Sequence, residues 1–220
     1  MNVIRAKRSI LEWVCAAAIL GVIMTTTGCA PNGSDLYNEA RDVHSSMNRQ
    51  IAKLQLHVFD GEWDIGGWGV APARCGSNGY RFSFYRSTPL DDGWWLPQPT
   101  AEGKAKALMT WLDEHGWSEI RLRTYTGGVS SVTIEARKPS AYIDDLLITV
   151  SAGTANDIVN LRVVGTCEPG DQAELRELMF PNGTHGDEIP ERAHPSVLPP
   201  FGLPAPSPTP TPTPTPTLES

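Results

Sequence analysis

Residues 119–167 read EIRLRTYTGGVSSVTIEARKPSAYIDDLLITVSAGTANDIVNLRVVGTC. Four apolar runs follow one another here with only turn residues between them. Glu119 to Tyr125 buries Ile120 and Leu122, and Gly127-Gly128 then turns the chain. Val129 to Arg137 carries Val132, Ile134 and Ala136 and is closed by Pro139. Asp145 to Ala152 is more apolar, and Gly153 to Asp157 makes a second hairpin loop. Ile158 to Thr166 ends one residue before Cys167. A side-chain period of two predicts strands with one buried face, and such short connections suit antiparallel neighbours.

Upstream, Gly79 to Arg86 alternates in the same way, with Tyr80, Phe82 and Phe84 on one side and Arg81, Ser83 and Tyr85 on the other. Before it, Leu36, Ala40, Val43, Met47, Ile51, Leu54 and Val58 recur at steps of three and four, the stripe of an amphipathic helix. Ser34 or Asp35 can cap that helix, and nothing breaks it before Gly61. A second helix starts at Thr100, buries Ala105, Leu108, Met109 and Leu112, and ends at Gly116. A short helix is expected from Asp171 to Met179. Strands in a run, with helices set apart, predict an α+β fold: an antiparallel sheet of about five strands covered on one face by the long N-terminal helix and the second helix.

Both ends differ in composition from this middle. Arg5, Lys7 and Arg8 precede an apolar run from Trp13 to Met24. Twelve helical residues rise about 18 Å, short of the ~30 Å of a bilayer core, so residues 1–28 read as a signal peptide. Thr26-Thr27-Gly28-Cys29 resembles a bacterial lipobox, in which the cysteine becomes the diacylated first residue. Two acyl chains give stable membrane anchoring where one is marginal. Residues 29–34 then read as a tether and 35–180 as the folded domain. Of the 19 prolines, 11 lie from Pro190 onward, and from Ser207 the chain is a Pro-Thr repeat. Residues 181–220 are therefore expected to form a disordered, Pro/Thr-rich tail.

The chain has 18 basic and 25 acidic residues, a formal net charge of −7. That argues against a nucleic-acid binder, which needs a basic face to neutralise phosphates. With Cys15 in the signal and Cys29 acylated, Cys75 and Cys167 remain, and in an exported chain an even remainder reads as a disulfide. Their Cα atoms should then lie about 4.4–6.8 Å apart. No CxxC or HxxxH spacing accompanies them, so neither a metal nor another cofactor is expected. There is no GxSxG, SxxK, HExxH, Walker loop or GxGxxG after a strand, so no catalytic residues are assigned. The five histidines have structural or tail positions, His44 and His57 falling on different faces of the long helix. Trp63, Trp111 and Trp117 are expected to seal the core. Trp68, Trp94 and Trp95, in Gly- and Pro-rich loops, are candidates to contact a ligand.

The lipobox-like Cys29, the following helix, Cys75 before an aromatic strand, the Trp-containing loop, Gly116-Trp117, and the strands closing on Val164-Gly165-Thr166-Cys167 resemble small actinobacterial lipoproteins of the LppA-like kind. The resemblance spans about residues 29–168. It implies a surface-anchored α+β domain with a disulfide and no assigned activity. The expectation is a cell-envelope lipoprotein on the extracytoplasmic face of the cell membrane, held in the lipid bilayer through Cys29. It would act as a non-catalytic binding or accessory module for an envelope protein, glycan or lipid. The alternatives are a carrier of lipid or another hydrophobic ligand, which requires an apolar cavity between helices and sheet, and an envelope hydrolase with dispersed catalytic residues.

Overall fold

The computed structural model describes residues 33–66, 71–90, 100–124, 131–153, 156–181 and 190–202. The expected signal and Cys29, the ligand-contact candidates Trp68, Trp94 and Trp95, and the Pro-Thr repeat lie outside the described residues.

The periodic stripe forms α1 (Gly33–Val58), and all seven of its apolar residues are buried. After it come β1 (Trp63–Ile65), β2 (Ala73–Cys75), β3 (Gly79–Arg81) and β4 (Ser83–Ser87). Next is α2 (Ala101–Glu114), with the Thr100 hydroxyl accepting a 3.0 Å bond from the Gly103 N–H as its N-cap. The four runs of residues 119–167 become β5 (Ser118–Thr124), β6 (Ser131–Lys138), β7 (Ile143–Ser151) and β8 (Ile158–Gly165). A two-residue β9 (Glu168–Pro169), α3 (Gln172–Met179) and a two-residue β10 (Arg192–Ala193) complete the series.

Among the described residues the strands form two antiparallel sheets, one of seven in the order β10-β1-β4-β8-β7-β6-β5 and one of three in the order β2-β3-β9. Register aligns Leu122, Ile134, Ile148, Leu161, Arg86 and Ile65 across the large sheet. Parallel to that row run Ala136, Leu146, Val163 and Phe84. These rows face the helices. α2 packs on β5, β6 and β7, while Met47 of α1 lies against Gly165 and His44 lies edge-on to Phe82 and Phe84. The opposite face carries Tyr85, Arg162, Leu147, Glu135 and Arg121 in one row, and the Arg123–Glu135 ion pair at 2.8 Å spans neighbouring strands. The α+β arrangement is thus as expected, with more strands than five because the extra ones are only two or three residues long.

One expected strand is two. The run from Gly79 to Arg86 changes sheets at Phe82, whose carbonyl accepts a 2.8 Å bond from the Gly165 N–H. The residues before it pair instead with β2 and β9. Trp63 and Trp117 are buried and Trp111 is half-buried, as the core assignment required.

The tail boundary at 181 is too early. Residues 190–202 dock on the domain: β10 pairs with β1, Arg192 meets Asp64 at 2.7 Å, and the Phe201 ring sits 5.0 Å from Tyr37 and 5.2 Å from His44. Four prolines do not prevent this, because a two-residue strand and one aromatic anchor need no periodic supply of backbone donors. Residues 203–220 lie outside the described residues.

Two charged groups are buried in this frame. Arg86 donates to the Tyr85 carbonyl at 2.8 Å and lies 5.5 Å from the centre of the Phe84 ring; burial lowers its pKa to about 10. Lys104 of α2 is ion-paired with Asp157 before β8, both almost fully enclosed. Removing one member of such a pair costs more than removing both, because a desolvated charge is left behind. Lys104→Ala should therefore lower stability by about 3–5 kcal/mol, and Lys104→Met combined with Asp157→Leu by much less, in urea denaturation. The docked arm has its own test. Phe201→Ala should cost about 1–3 kcal/mol, below the range for a fully buried ring, because Phe201 is only partly enclosed. Deleting residues 190–220 should cost at least as much.

Candidate functional site

Cys75 and Cys167 are joined, with Cα atoms 5.8 Å apart. The bond ties the end of β2 to the residue before β9 and holds Glu168-Pro169 against β3, in the register Tyr80↔Glu168 and Gly79↔Pro169. Gly79 is required at this point: a Cβ there would stand 2.8 Å from the Cys167 sulfur. Gly170 follows with φ 141°, and a Cβ on it would strike Leu36 at 2.5 Å and the Tyr80 ring at 3.2 Å. Together these place the Tyr80 side chain against the start of α1.

The result is a half-open cleft of about 250 Å³ lined by Glu39, Asp42, Val43, Tyr80, Tyr142, Glu168 and Pro169. Glu39 and Asp42 stand three residues apart on α1, on the flank of its buried stripe, and Val43 forms the apolar wall beneath them. Tyr142 comes from the turn before β7, where it adopts the left-handed conformation (φ 61°, ψ 29°); its carbonyl accepts a 2.9 Å bond from the Thr166 N–H. Glu168 accepts a hydrogen bond from the Thr166 hydroxyl. The lining thus holds three carboxylates, two phenols and no cation.

Tyr80 is 1 % exposed, and its hydroxyl makes no hydrogen bond to another described residue. Burial raises its pKa well above the ordinary phenol value, and the Glu168 and Glu39 carboxylates and Tyr142 add to the rise. A phenol in this position stays neutral and keeps both its proton and its lone pairs to offer. No three of the described His, Cys, Asp or Glu side chains converge closely enough to hold a metal ion.

The structure also gathers residues that sequence spacing keeps apart. His57 at the end of α1 and His115 after α2 both stack on Trp111, at 4.7 and 3.9 Å between ring centres. Burial first, then the neighbouring His115, lowers the His57 pKa, while Glu114 opposes them. Both imidazoles stay at the surface, consistent with their structural assignment. Of the cleft, the periodicity identifies Tyr80 only as a core aromatic. Glu39 and Asp42 read as the polar side of a helix, and Tyr142 and Glu168 lie outside any periodic run. The nearest thing to a signal was the pair of acids flanking Val43.

Because the raised pKa favours the neutral phenol in the folded state, Tyr80 contributes stability that is intact below pH 10, the ordinary phenol value, and is lost as pH rises beyond it. In an alkaline absorbance titration the last phenol should ionise only as the protein unfolds. Tyr80→Phe should remove that late step and reduce the alkaline loss of stability.

Compared with protein-family models, with curated proteins and with solved structures, the chain finds no match.

Proposed function

We propose that this chain is a membrane-anchored cell-envelope lipoprotein whose folded domain is a non-catalytic binding module. The cleft carries this reading: an almost wholly buried tyrosine turns a hydroxyl with no protein partner among the described residues into a pocket lined by carboxylates, open to a ligand. Its lining holds carboxylates and phenols and no serine, cysteine, histidine or lysine. The location rests on two features of the chain. A disulfide persists in an oxidising compartment, and Thr26-Thr27-Gly28-Cys29 resembles the lipobox that would acylate Cys29 and hold the domain on the extracytoplasmic face. The likeness to LppA-like lipoproteins belongs to the same reading.

A carrier of hydrophobic ligands is less well supported. The space such a carrier would keep open between α1 and the sheet is occupied by Met47, Ile51, Leu54, Phe82, Phe84 and Val163, all at most 2 % exposed. The two described clefts, of about 230 and 250 Å³, both carry charged side chains.

Membrane attachment is tested by Cys29→Ala. The wild-type chain should partition into detergent and carry a lipid-modified amino terminus, and the variant should be released or mislocalised. A wild-type chain recovered wholly from the medium, with an unmodified terminus, would overturn the anchor.

A further inference from the structure

We infer that the cleft between α1, β3 and β9 recognises a hydrogen-bond-donating organic cation on an alkyl stem: the primary ammonium of a lysine side chain or of a free amine. This rests on the reading of the domain as a binding module and adds the class of ligand; it does not depend on the anchor at Cys29.

Charge comes first. Glu39, Asp42 and Glu168 reach the cleft from two different elements; Arg41 meets Asp42 at 3.8 Å from outside the lining, and the lining itself holds no cation to face Glu39 and Glu168. A cation entering the cleft gains electrostatic energy from these carboxylates, and the half-enclosed setting weakens solvent screening. Direction comes second. Tyr80 as a whole is 1 % exposed and lines the cleft, where its phenol feels the carboxylates of Glu168 and Glu39; its hydroxyl is reached by solvent and has no protein partner among the described residues. An ammonium N–H would replace water at that oxygen, and a bond from a charged donor is about twice as strong as a neutral one.

Shape comes third. Val43 and Pro169 give the cleft an apolar wall beside its acids, which suits methylene groups below a charged head. A bare metal ion has no use for such a wall, and a calcium ion would need six to eight oxygen ligands. At about 250 Å³ the cleft is below the size of sites for drug-sized molecules, so it matches one extended side chain. The disulfide fixes this arrangement, because it keeps Glu168 in register opposite Tyr80.

The test is calorimetric titration of the full chain in non-ionic detergent. The probes are cadaverine, the peptide acetyl-Gly-Lys-Gly-amide, the same peptide with norleucine in place of lysine, and calcium chloride. The expected result is saturable binding of an ammonium probe, none of the norleucine peptide, and weakening at high salt. Tyr80→Phe, which keeps the ring that packs on Gly170, should lower affinity at least tenfold, as should Glu39→Gln with Glu168→Gln. Glu62→Gln, remote from the lining, should leave it unchanged. Thermal melts confirm that each variant is folded.

Binding of the peptide alone supports a protein partner's lysine as the source, and binding of cadaverine alone supports a free amine. Equal binding of the norleucine peptide would refute the cation while leaving a binding module. Calcium binding lost in the glutamine variants, without ammonium binding, would make this a metal site and overturn the assignment. No binding by either ammonium probe, or binding indifferent to Tyr80→Phe, would overturn it as well. None of these outcomes alters the partitioning of Cys29→Ala, so the ligand class and the anchor can fail separately.

Discussion

The burial of one side of α1 against the large sheet is the contact on which the rest of the domain depends. Seven apolar side chains on a single helical stripe cover the rows around Phe82, Phe84 and Val163. At roughly 1.5–3 kcal/mol for each large side chain removed from water, this stripe is a large share of the driving force. An antiparallel sheet with one solvated face cannot stand without such a cover. The flanks of the same helix then position what is not core. Glu39 and Asp42 border the cleft on one side, while Tyr37 and His44 receive Phe201 of the C-terminal arm.

Several buried polar groups lock one element to another. Lys104 and Asp157 fasten α2 to the entrance of β8, and the Thr88 hydroxyl accepts the Val159 N–H at 3.0 Å where β4 ends. His44 sits within an aromatic cluster of Phe82, Phe84 and Phe201, with the Asn48 amide 3.2 Å from its ring. Unlike apolar contacts, these groups tolerate only one arrangement, because a missed partner leaves a desolvated dipole or charge. They set which helix lies over which strand, a choice that hydrophobicity alone leaves open.

The small sheet differs in kind. Its strands have two or three residues each and little core of their own, and the Cys75–Cys167 bond holds them together. Loop closure over 92 positions restricts the unfolded chain, and in the folded state the same bond brings Glu168 beside Tyr80. A covalent tie is thus used where weak strand pairing would leave the cleft loosely formed. Tyr142 complements it from the opposite side, held in a left-handed backbone conformation that a residue with a Cβ rarely adopts.

Periodicity alone determined the framework: α1, α2, α3, the four strands of residues 118–165 and their antiparallel order. Each of these is decided by a local repeat of apolar residues, and the short turns leave neighbouring strands little choice of partner. The two cysteines left by the export reading were legible as a pair by the same economy. Only the tertiary structure decided the rest. The two- and three-residue strands are too short to carry a period, the switch of sheets at Phe82 leaves the apolar alternation unbroken, and the docking of Phe201 beside Tyr37 and His44 follows no linear pattern. The cleft is the clearest case. Tyr80 and Glu168 are 88 residues apart in the chain, and Glu39 and Tyr142 come from further elements, so their chemistry appears only when strand register and helix position bring them together. A sequence shows which side chains can be buried or charged, but the field a phenol experiences is set by neighbours that only folding supplies.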